Sequence, residues 1–246
     1  MTMAYTIAVA GKGGVGKTTV CAMLIQHLLT LDRPVLAVDA DPNSNLDVLL
    51  GFKVKETISD IREAAKSLSF PGMSKSDFFN MKLEEIIIEG DGVDLLVMGR
   101  PEGPGCYCAV NNMLREYLLR LIKNYKFVVI DNEAGMEHLS RRTASEIDKL
   151  LLVSDSTIVG LQSAINAFQA AKKSGLKFKG TSLVVNRSKS PLDKEKLGLI
   201  DDSGLNIAGY IPYKEDLEKN SEKGLMLTKE IASKINLDFI LECKEA

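Results

Sequence analysis

The sequence lacks the features that mark membrane-spanning, secreted or strongly basic proteins. No apolar run approaches the roughly 20 residues that cross a bilayer, and the first five residues carry no basic segment typical of a secretory signal. The formal net charge is −2 and the pI is about 5.8, so bulk charge does not indicate binding to nucleic acid or to an anionic membrane. We therefore expect a cytoplasmic protein that binds neither a nucleic acid nor a membrane, with its 4 cysteines reduced.

Short β-type apolar runs alternate with helix-like segments along the chain. Runs rich in Val, Ile and Leu are typical of parallel strands buried on both faces. The alternation predicts an α/β fold, a single-domain, doubly wound and mostly parallel sheet with helices on both faces over residues 1–246. Residues 53–89 are polar and mixed, which predicts a helical excursion after the second strand. The predicted strands are 6–10, 35–39, 93–98, 127–131, 150–154, 182–186 and 207–211; the predicted helices include 17–30, 110–124, 139–146, 160–174, 214–219 and 225–235.

A glycine-rich loop stands between the first strand and the first helix. Residues 11–19 are Gly-Lys-Gly-Gly-Val-Gly-Lys-Thr-Thr, and glycines there let successive backbone N–H groups surround phosphate oxygens. The lysine that opens the helix would reach the β- and γ-phosphates, and the next hydroxyl would hold Mg²⁺. A glycine-rich turn without a ligand is the alternative, which the strand–loop–helix setting disfavours. The residues predicted to bind the nucleotide here are Gly13, Gly14, Val15, Gly16, Lys17, Thr18 and Thr19.

Carboxylates follow the second and fourth predicted strands. Asp39 is the last residue of the second strand and Asp41 lies two residues beyond it, whereas Asp131 is the last residue of the fourth strand. The carboxyl ends of parallel strands face the ligand crevice, so these side chains are expected near phosphate and Mg²⁺. An apolar strand ending in Asp131 is typical of a Walker B carboxylate in the magnesium shell. Asp39 would be a nearer magnesium or loop-bracing carboxylate, whereas an ordinary Asp-Pro turn is the alternative at Asp41.

The strand 182–186 ends at Asn186-Arg187, and a Pro212 turn follows the last strand. A side-chain amide offers a donor and an acceptor, which suits the edge of adenine, although asparagine is also common in turns after strands. The guanine-specific motif Asn-Lys-x-Asp is absent from the sequence. ATP is therefore favoured over GTP.

Cys106 and Cys108 follow a Gly- and Pro-rich stretch. In extended backbone, residues i and i+2 point the same way, and a disulfide between such close cysteines is strained. The pair is a candidate for metal binding or redox chemistry, and two small buried hydrophobic residues are the alternative. Zn²⁺ and Ni²⁺ accept four thiolates, so two copies across a twofold dimer axis would complete the site.

The loop 11–19 resembles the deviant Walker A loop of the MinD/ParA/nitrogenase iron protein superfamily. That resemblance implies that Lys12 reaches across a nucleotide-sandwich homodimer to the partner's phosphates; a solvated loop lysine is the alternative. It implies that Asp41 orients the attacking water, so Lys12, Lys17 and Asp41 are the predicted catalytic residues. It further implies that the Gly135 amide senses the γ-phosphate in a switch II. Asn186, Arg187 and Pro212 would then line the adenine site.

Three motifs together resemble the CooC family, ATPase accessory proteins for nickel insertion into carbon monoxide dehydrogenase. These are the loop 11–19, Arg-Pro-Glu-Gly-Pro-Gly-Cys-Tyr-Cys at 100–108 and Asp-Asn-Glu-Ala-Gly-Met-Glu-His at 131–138. The resemblance implies an ATP-gated homodimer that binds Ni²⁺, or Zn²⁺ as a competitor, between subunits through Cys106 and Cys108. It would deliver the metal to apo carbon monoxide dehydrogenase.

Other members of the superfamily provide the alternatives. An iron-protein-like electron donor shares an iron–sulfur cluster between subunits, but it needs cysteines on two separate loops, and residues 131–140 contain none. A ParA-type switch acts on DNA and a MinD-type switch on a membrane. The small basic patch that includes Lys172 and Lys173 and the non-basic residues 236–246 support neither strongly.

Overall fold

The seven predicted strands form one parallel sheet in the computed structural model. The structure describes residues 4–32, 34–43, 45–67, 72, 74–100, 108–132, 147–215, 217, 226–227, 237 and 240. The order across the sheet is β3-β2-β4-β1-β5-β6-β7, and every neighbouring pair of strands is parallel. The strands are β1 Tyr5–Ala10, β2 Val35–Ala40, β3 Val93–Val97, β4 Phe127–Asn132, β5 Ile147–Ser154, β6 Phe178–Ser188 and β7 Ile207–Pro212.

Hydrophobic clusters cover the two faces of this sheet. Alternate residues of a strand point to opposite faces, so Ala8 and Ala10 of β1 enter one cluster and Ile7 and Val9 enter the other. This double burial explains why the strands have near-continuous apolar sequences. The predicted α/β, doubly wound fold is confirmed.

Helices connect the strands on both faces. Their bounds are α1 Lys17–Leu31, α2 Leu46–Leu50, α3 Ile58–Ser67, α4 Lys75–Glu85, α5 Cys108–Leu121, α6 Ile158–Lys173 and α7 Lys194–Ser203. The first of them, α1, packs into the cluster that contains Val9, whereas α5 and α6 pack into the cluster that contains Ala8. No helix among the described residues is both long and apolar enough to span a membrane.

Most differences from the predicted helices concern element ends. α5 begins at Cys108 rather than at residue 110, and α6 begins at Ile158, where the Thr157 hydroxyl accepts a hydrogen bond from the Gly160 amide. The excursion at 53–89 contains α3 and α4, as predicted. α7 was not predicted. The predicted helix 139–146 lies outside the described residues, and those at 214–219 and 225–235 lie mostly outside them.

Candidate functional site

The loop between β1 and α1 requires glycine at two positions. Gly11 has a φ of 154°, and a Cβ atom there would collide with the Val153 carbonyl oxygen of β5. Gly16 has a φ of 86°, and a Cβ atom there would lie 2.6 Å from Nδ2 of Asn186. Gly16 is the N-cap residue of α1, and it provides no side-chain cap. The first amides of the helix are therefore available to an anion.

A cavity of about 570 Å³ opens above this loop at the carboxyl edge of the sheet. Its volume suits a small-molecule ligand. The Lys17 ammonium is 3.5 Å from the Lys12 carbonyl oxygen, and Lys17 is only 7% exposed. The cavity lining brings together predicted residues from three parts of the chain: Gly13, Gly14, Gly16, Lys17, Thr18, Thr19, Asp41 and Arg187.

Val15 and Asp39 are among the predicted residues that do not line this cavity. Val15 is buried in the hydrophobic cluster around α1, so its contribution to phosphate binding is confined to the backbone. Asp39 is also fully buried. Its carboxylate accepts hydrogen bonds from the backbone amides of Asp41 and Leu46, each at 3.1 Å. Asp39 was predicted either to bind magnesium or to brace the loop. Its hydrogen bonds fit the second role, since they hold the loop after β2.

Asp39 and Asp131 are register partners on β2 and β4. Burial, and next the negative charge of Asp131, raises the pKa of Asp39 to about 7. Burial likewise raises the pKa of Asp131 to about 6, against the lowering effects of the Thr18 hydroxyl and the Lys17 ammonium. Two adjacent buried carboxyl groups resist ionisation, because burial and their mutual repulsion both disfavour the charged forms. A cation placed here would favour their charged forms.

Asp131 fits the predicted magnesium shell. It is 0% exposed, and neither of its carboxylate oxygens has a partner in ordinary hydrogen-bond geometry within the described part of the chain. Buried carboxylate oxygens normally have such partners. Together with the neighbouring Thr18 hydroxyl, they offer the hard oxygen ligands that Mg²⁺ prefers. Thr18 and Asp131 are therefore the residues that would hold the ion.

Asp41 stands at the cavity wall. Its Oδ1 accepts a hydrogen bond from the Asn43 amide at 2.8 Å, which holds residues 41–43 in a tight turn. The sequence did not predict the contribution of the following segment, where Asn43, Asn45, Val48 and Leu49 also line the cavity. α2 is a helix of 5 residues, too short to give a clear hydrophobic period. The Asp-Pro-Asn sequence at 41–43 indicated a turn there, but it did not indicate that the residues after it line the cavity.

The residues predicted for the base lie beside the phosphate cavity. Asn186, Pro212 and Tyr213 line a smaller adjoining pocket, and Thr19 and Arg187 border both spaces. Nδ2 of Asn186 donates to the Val15 carbonyl at 2.8 Å. Nη1 of Arg187, a residue with a φ of 53°, donates to the Gly14 carbonyl at 3.2 Å. Both side chains therefore hold the loop, a role that the sequence did not reveal.

Several predicted residues lie outside the described structure. Cys106 and Gly135 are not among the described residues. Cys108 is the first residue of α5, and the structure describes its backbone but not its thiol. Within the described residues, no three His, Cys, Asp or Glu side chains form a group that could hold a metal ion. Cys21 of α1 is a free, buried cysteine, and burial followed by the charge of Asp131 raises the pKa of its thiol. The cysteine pair thus remains a prediction.

Residues 6–227 match the CobQ/CobB/MinD/ParA nucleotide-binding domain family. Over 226 residues the chain is 44% identical to an uncharacterised ATP-binding protein of Methanocaldococcus jannaschii, covering 90% of this chain and 89% of that protein. It is also 31% identical over 235 residues to the carbon monoxide dehydrogenase accessory protein CooC of Rhodospirillum rubrum. That match covers 89% of this chain and 88% of CooC.

Solved structures show the same architecture. The cell division ATPase MinD of Pyrococcus furiosus is 26% identical, with a TM-score of 0.65 over 92% of this chain and 90% of that one. A ParA family ATPase of Chlorobium tepidum superposes with a TM-score of 0.67 over 98% of both chains. At 21% identity, this second similarity concerns the fold alone.

Proposed function

The chain belongs to the CobQ/CobB/MinD/ParA family of nucleotide-binding ATPases, and from this premise we propose that it couples ATP hydrolysis to nickel delivery. The client would be an apo carbon monoxide dehydrogenase. Two parts of the chain carry this proposal. The phosphate cavity with its buried carboxylates supplies the ATPase chemistry, and the Cys106–Cys108 motif supplies the cargo site.

The ATPase half follows from the geometry around the loop. The amides of residues 13–18 and the ammonium of Lys17 would neutralise phosphate charge, because the low dielectric of a buried site strengthens both interactions. Thr18 and Asp131 would hold Mg²⁺, which would supply further positive charge for the phosphate groups. Asp41, whose carboxylate reaches the cavity wall, would orient the attacking water.

Lys12 supports a dimeric site. Lys12 is exposed, while Lys17 of the same loop is buried and lines the cavity. Within one subunit, Lys17 would therefore supply a cation for the bound phosphates, and Lys12 would remain exposed to solvent. In a homodimer whose two cavities face each other, the exposed lysine would add positive charge to the partner's γ-phosphate as hydrolysis proceeds.

The observation that carries the nickel half is the Cys-x-Cys motif within a chain 31% identical to CooC over most of both lengths. Thiolates select soft or borderline divalent ions such as Ni²⁺ and Zn²⁺. One motif supplies two thiolates, and a four-sulfur site needs a second copy. The expected stoichiometry is consequently one metal ion per dimer.

A titration of Ni²⁺ and Zn²⁺ into the metal-free protein tests this half. Calorimetry gives the stoichiometry, and light scattering gives the oligomer size with and without a non-hydrolysable ATP analogue. Cys106→Ser and Cys108→Ser should each remove tight metal binding and leave ATP binding largely unchanged, because the proposed ATP contacts come from the phosphate loop and the carboxyl ends of the strands. Cys243→Ser is the matched control and should bind metal like the wild type. One ion per monomer, or binding that survives both changes, would reject the shared site.

A ParA- or MinD-type ATP switch is the second candidate, favoured by the fold similarity to MinD of Pyrococcus furiosus. Such a switch would act on DNA or on a membrane. Cosedimentation of the ATP-bound protein with anionic vesicles, and gel shift with duplex DNA, separate the candidates. ATP-dependent binding to either polymer together with absent metal binding would establish the switch. An iron–sulfur electron donor would instead be brown and contain iron.

A further inference from the structure

Arg100 joins the loop that carries Asp41 to the chain segment that leads into the cysteine motif. Its Nε donates to the Pro42 carbonyl oxygen at 3.0 Å. Its Nη2 donates to the Asn43 side-chain oxygen at 3.1 Å. Residues 42 and 43 follow β2, whereas Arg100 follows β3, so a single side chain connects two loops far apart in sequence.

Hydrogen bonds hold the backbone just before Arg100, and they thereby fix the position from which its side chain extends. The Met98 amide donates to the Asp39 carbonyl at 2.8 Å, and the Met98 carbonyl accepts from the amide and hydroxyl of Ser59 at 3.0 and 2.9 Å. Gly99 has a φ of 71°, and a Cβ atom there would collide with Oγ1 of Thr57. The turn between β3 and Arg100 is therefore anchored to β2 and to the start of α3.

The other end of the contact reaches the predicted water-orienting carboxylate. The Asn43 amide donates to Oδ1 of Asp41 at 2.8 Å. Arg100 holds the side chain of the same asparagine and the carbonyl of the intervening proline. A planar guanidinium fixes two acceptors at once, which a lysine ammonium on a flexible stem does not. The orientation of Asp41 is thus tied to Arg100.

We propose that Arg100 is a positioning residue that fixes the Asp41 loop for ATP hydrolysis. That Asp41 orients the attacking water rests on the proposed function. The mechanical link between Arg100 and the Asp41 loop rests on contacts among described residues alone.

Steady-state ATP hydrolysis by the full-length protein tests the positioning role. Arg100→Ala should lower kcat about three- to thirtyfold and change KM for ATP by less than about twofold, because the group acts through Asp41 and not on the bound nucleotide. Arg100→Lys should recover part of the lost rate. The matched control is Arg120→Ala, an exposed arginine near the opposite end of α5, which should keep the wild-type rate.

A double-mutant cycle with Asn43→Ala locates the effect. If Arg100 acts through Asn43, the double variant should be about as slow as the slower single variant, because both changes break the same contact. Strictly additive losses, or a wild-type kcat in Arg100→Ala, would overturn the positioning role. An effect confined to KM would also overturn it.

The Asp41→Ala variant separates the two hypotheses. If Asp41→Ala is slow and Arg100→Ala keeps the wild-type kcat, only the positioning role of Arg100 is rejected. Wild-type turnover by Asp41→Ala would instead reject the proposed role of Asp41 itself.

Discussion

The side-chain amide of Asn186 lies 2.8 Å from the Val15 carbonyl, so the end of β6 is hydrogen-bonded to the middle of the phosphate loop. The same Nδ2 atom occupies the space that a Cβ atom at Gly16 would need. A residue predicted to contact adenine therefore also closes the loop that surrounds the phosphates. The predicted base and phosphate subsites would therefore both depend on Asn186.

Asn186→Ala should weaken the binding of ATP and of inorganic tripolyphosphate by similar factors, because both ligands need the loop in place. Loss of one buried hydrogen bond costs about 1 kcal/mol, or roughly fivefold in Kd. Isothermal titration of both ligands measures the effect. Asn206→Ala, an exposed asparagine just before β7, is the control. A loss restricted to ATP would show that Asn186 serves the base alone.

Lys17→Ala and Asp41→Ala should separate nucleotide binding from hydrolysis. Without Lys17, the buried cation beneath the cavity, tight ATP binding should be lost. Asp41→Ala should still bind ATP, but hydrolyse it about 100-fold more slowly, since the water loses its orienting carboxylate. Fluorescent-nucleotide binding and phosphate release measure the two steps. The exposed Asp202→Ala is the control, and wild-type turnover by Asp41→Ala would refute the assigned role.

The role of Lys12 is tested by complementation. If its ammonium acts on the partner's phosphates, Lys12→Gln should weaken ATP-dependent dimerisation more than ATP binding by the monomer. Mixing it with Asp41→Ala should produce heterodimers in which one of the two sites has both groups intact. Recovery of part of the hydrolysis rate would demonstrate the exchange. Equal losses of ATP binding in dilute monomer and in dimer would instead indicate action within one chain.

Asp131→Asn should raise the free energy of unfolding of the Mg²⁺-free protein at neutral pH. The folded-state pKa of Asp131, about 6, lies above the ordinary value of 3.8, so ionisation costs stability as pH rises from about 4 to 6, and the cost persists above 6. The amide does not ionise, and its advantage at pH 8 should be on the order of 2–3 kcal/mol. The negative charge that raises the pKa of Asp39 is removed as well.

Urea unfolding in EDTA at pH 5 and pH 8 measures this difference, with the exposed Asp32→Asn as the control. The advantage of Asp131→Asn should be smaller at pH 5, where the wild-type carboxyl is mostly protonated. Added Mg²⁺ with ADP should stabilise the wild type more than the variant, because only the wild type keeps the carboxylate ligand. A variant less stable than the wild type at pH 8 would contradict the assignment of Asp131.

Local sequence patterns were sufficient for the sheet and for the phosphate loop. Most strand residues are buried, so the strand sequences are near-continuously apolar. Glycines at 11 and 16 reflect close approaches that allow no Cβ atom. The carboxylates at 39 and 131 could be placed because parallel strands end at one edge. None of these inferences needed contacts between distant residues.

The contacts that the sequence did not reveal all join segments distant along the chain. Arg100 contacts Pro42 and Asn43, and Asn186 contacts Val15. Arg100 had no signal beyond its place in the motif 100–108, because a lone surface arginine has many possible partners. α7 was missed, although the Asp193 side chain caps it by accepting a hydrogen bond from the Lys196 amide. Such contacts depend on how distant segments pack in three dimensions, and a short stretch of one sequence carries no information about that packing.

The order of strands also determines when the nucleotide site can form during synthesis. β1 lies between β4 and β5, so the phosphate loop that follows it has no flanking strand until residues 127–154 have been made. Gly11 rests against β5, which emerges more than half of the chain later. Parallel pairings of such long sequence separation form slowly. A ribosome-bound chain that ends before β5 should therefore bind no ATP, and chaperones would meet an exposed apolar first strand during that interval.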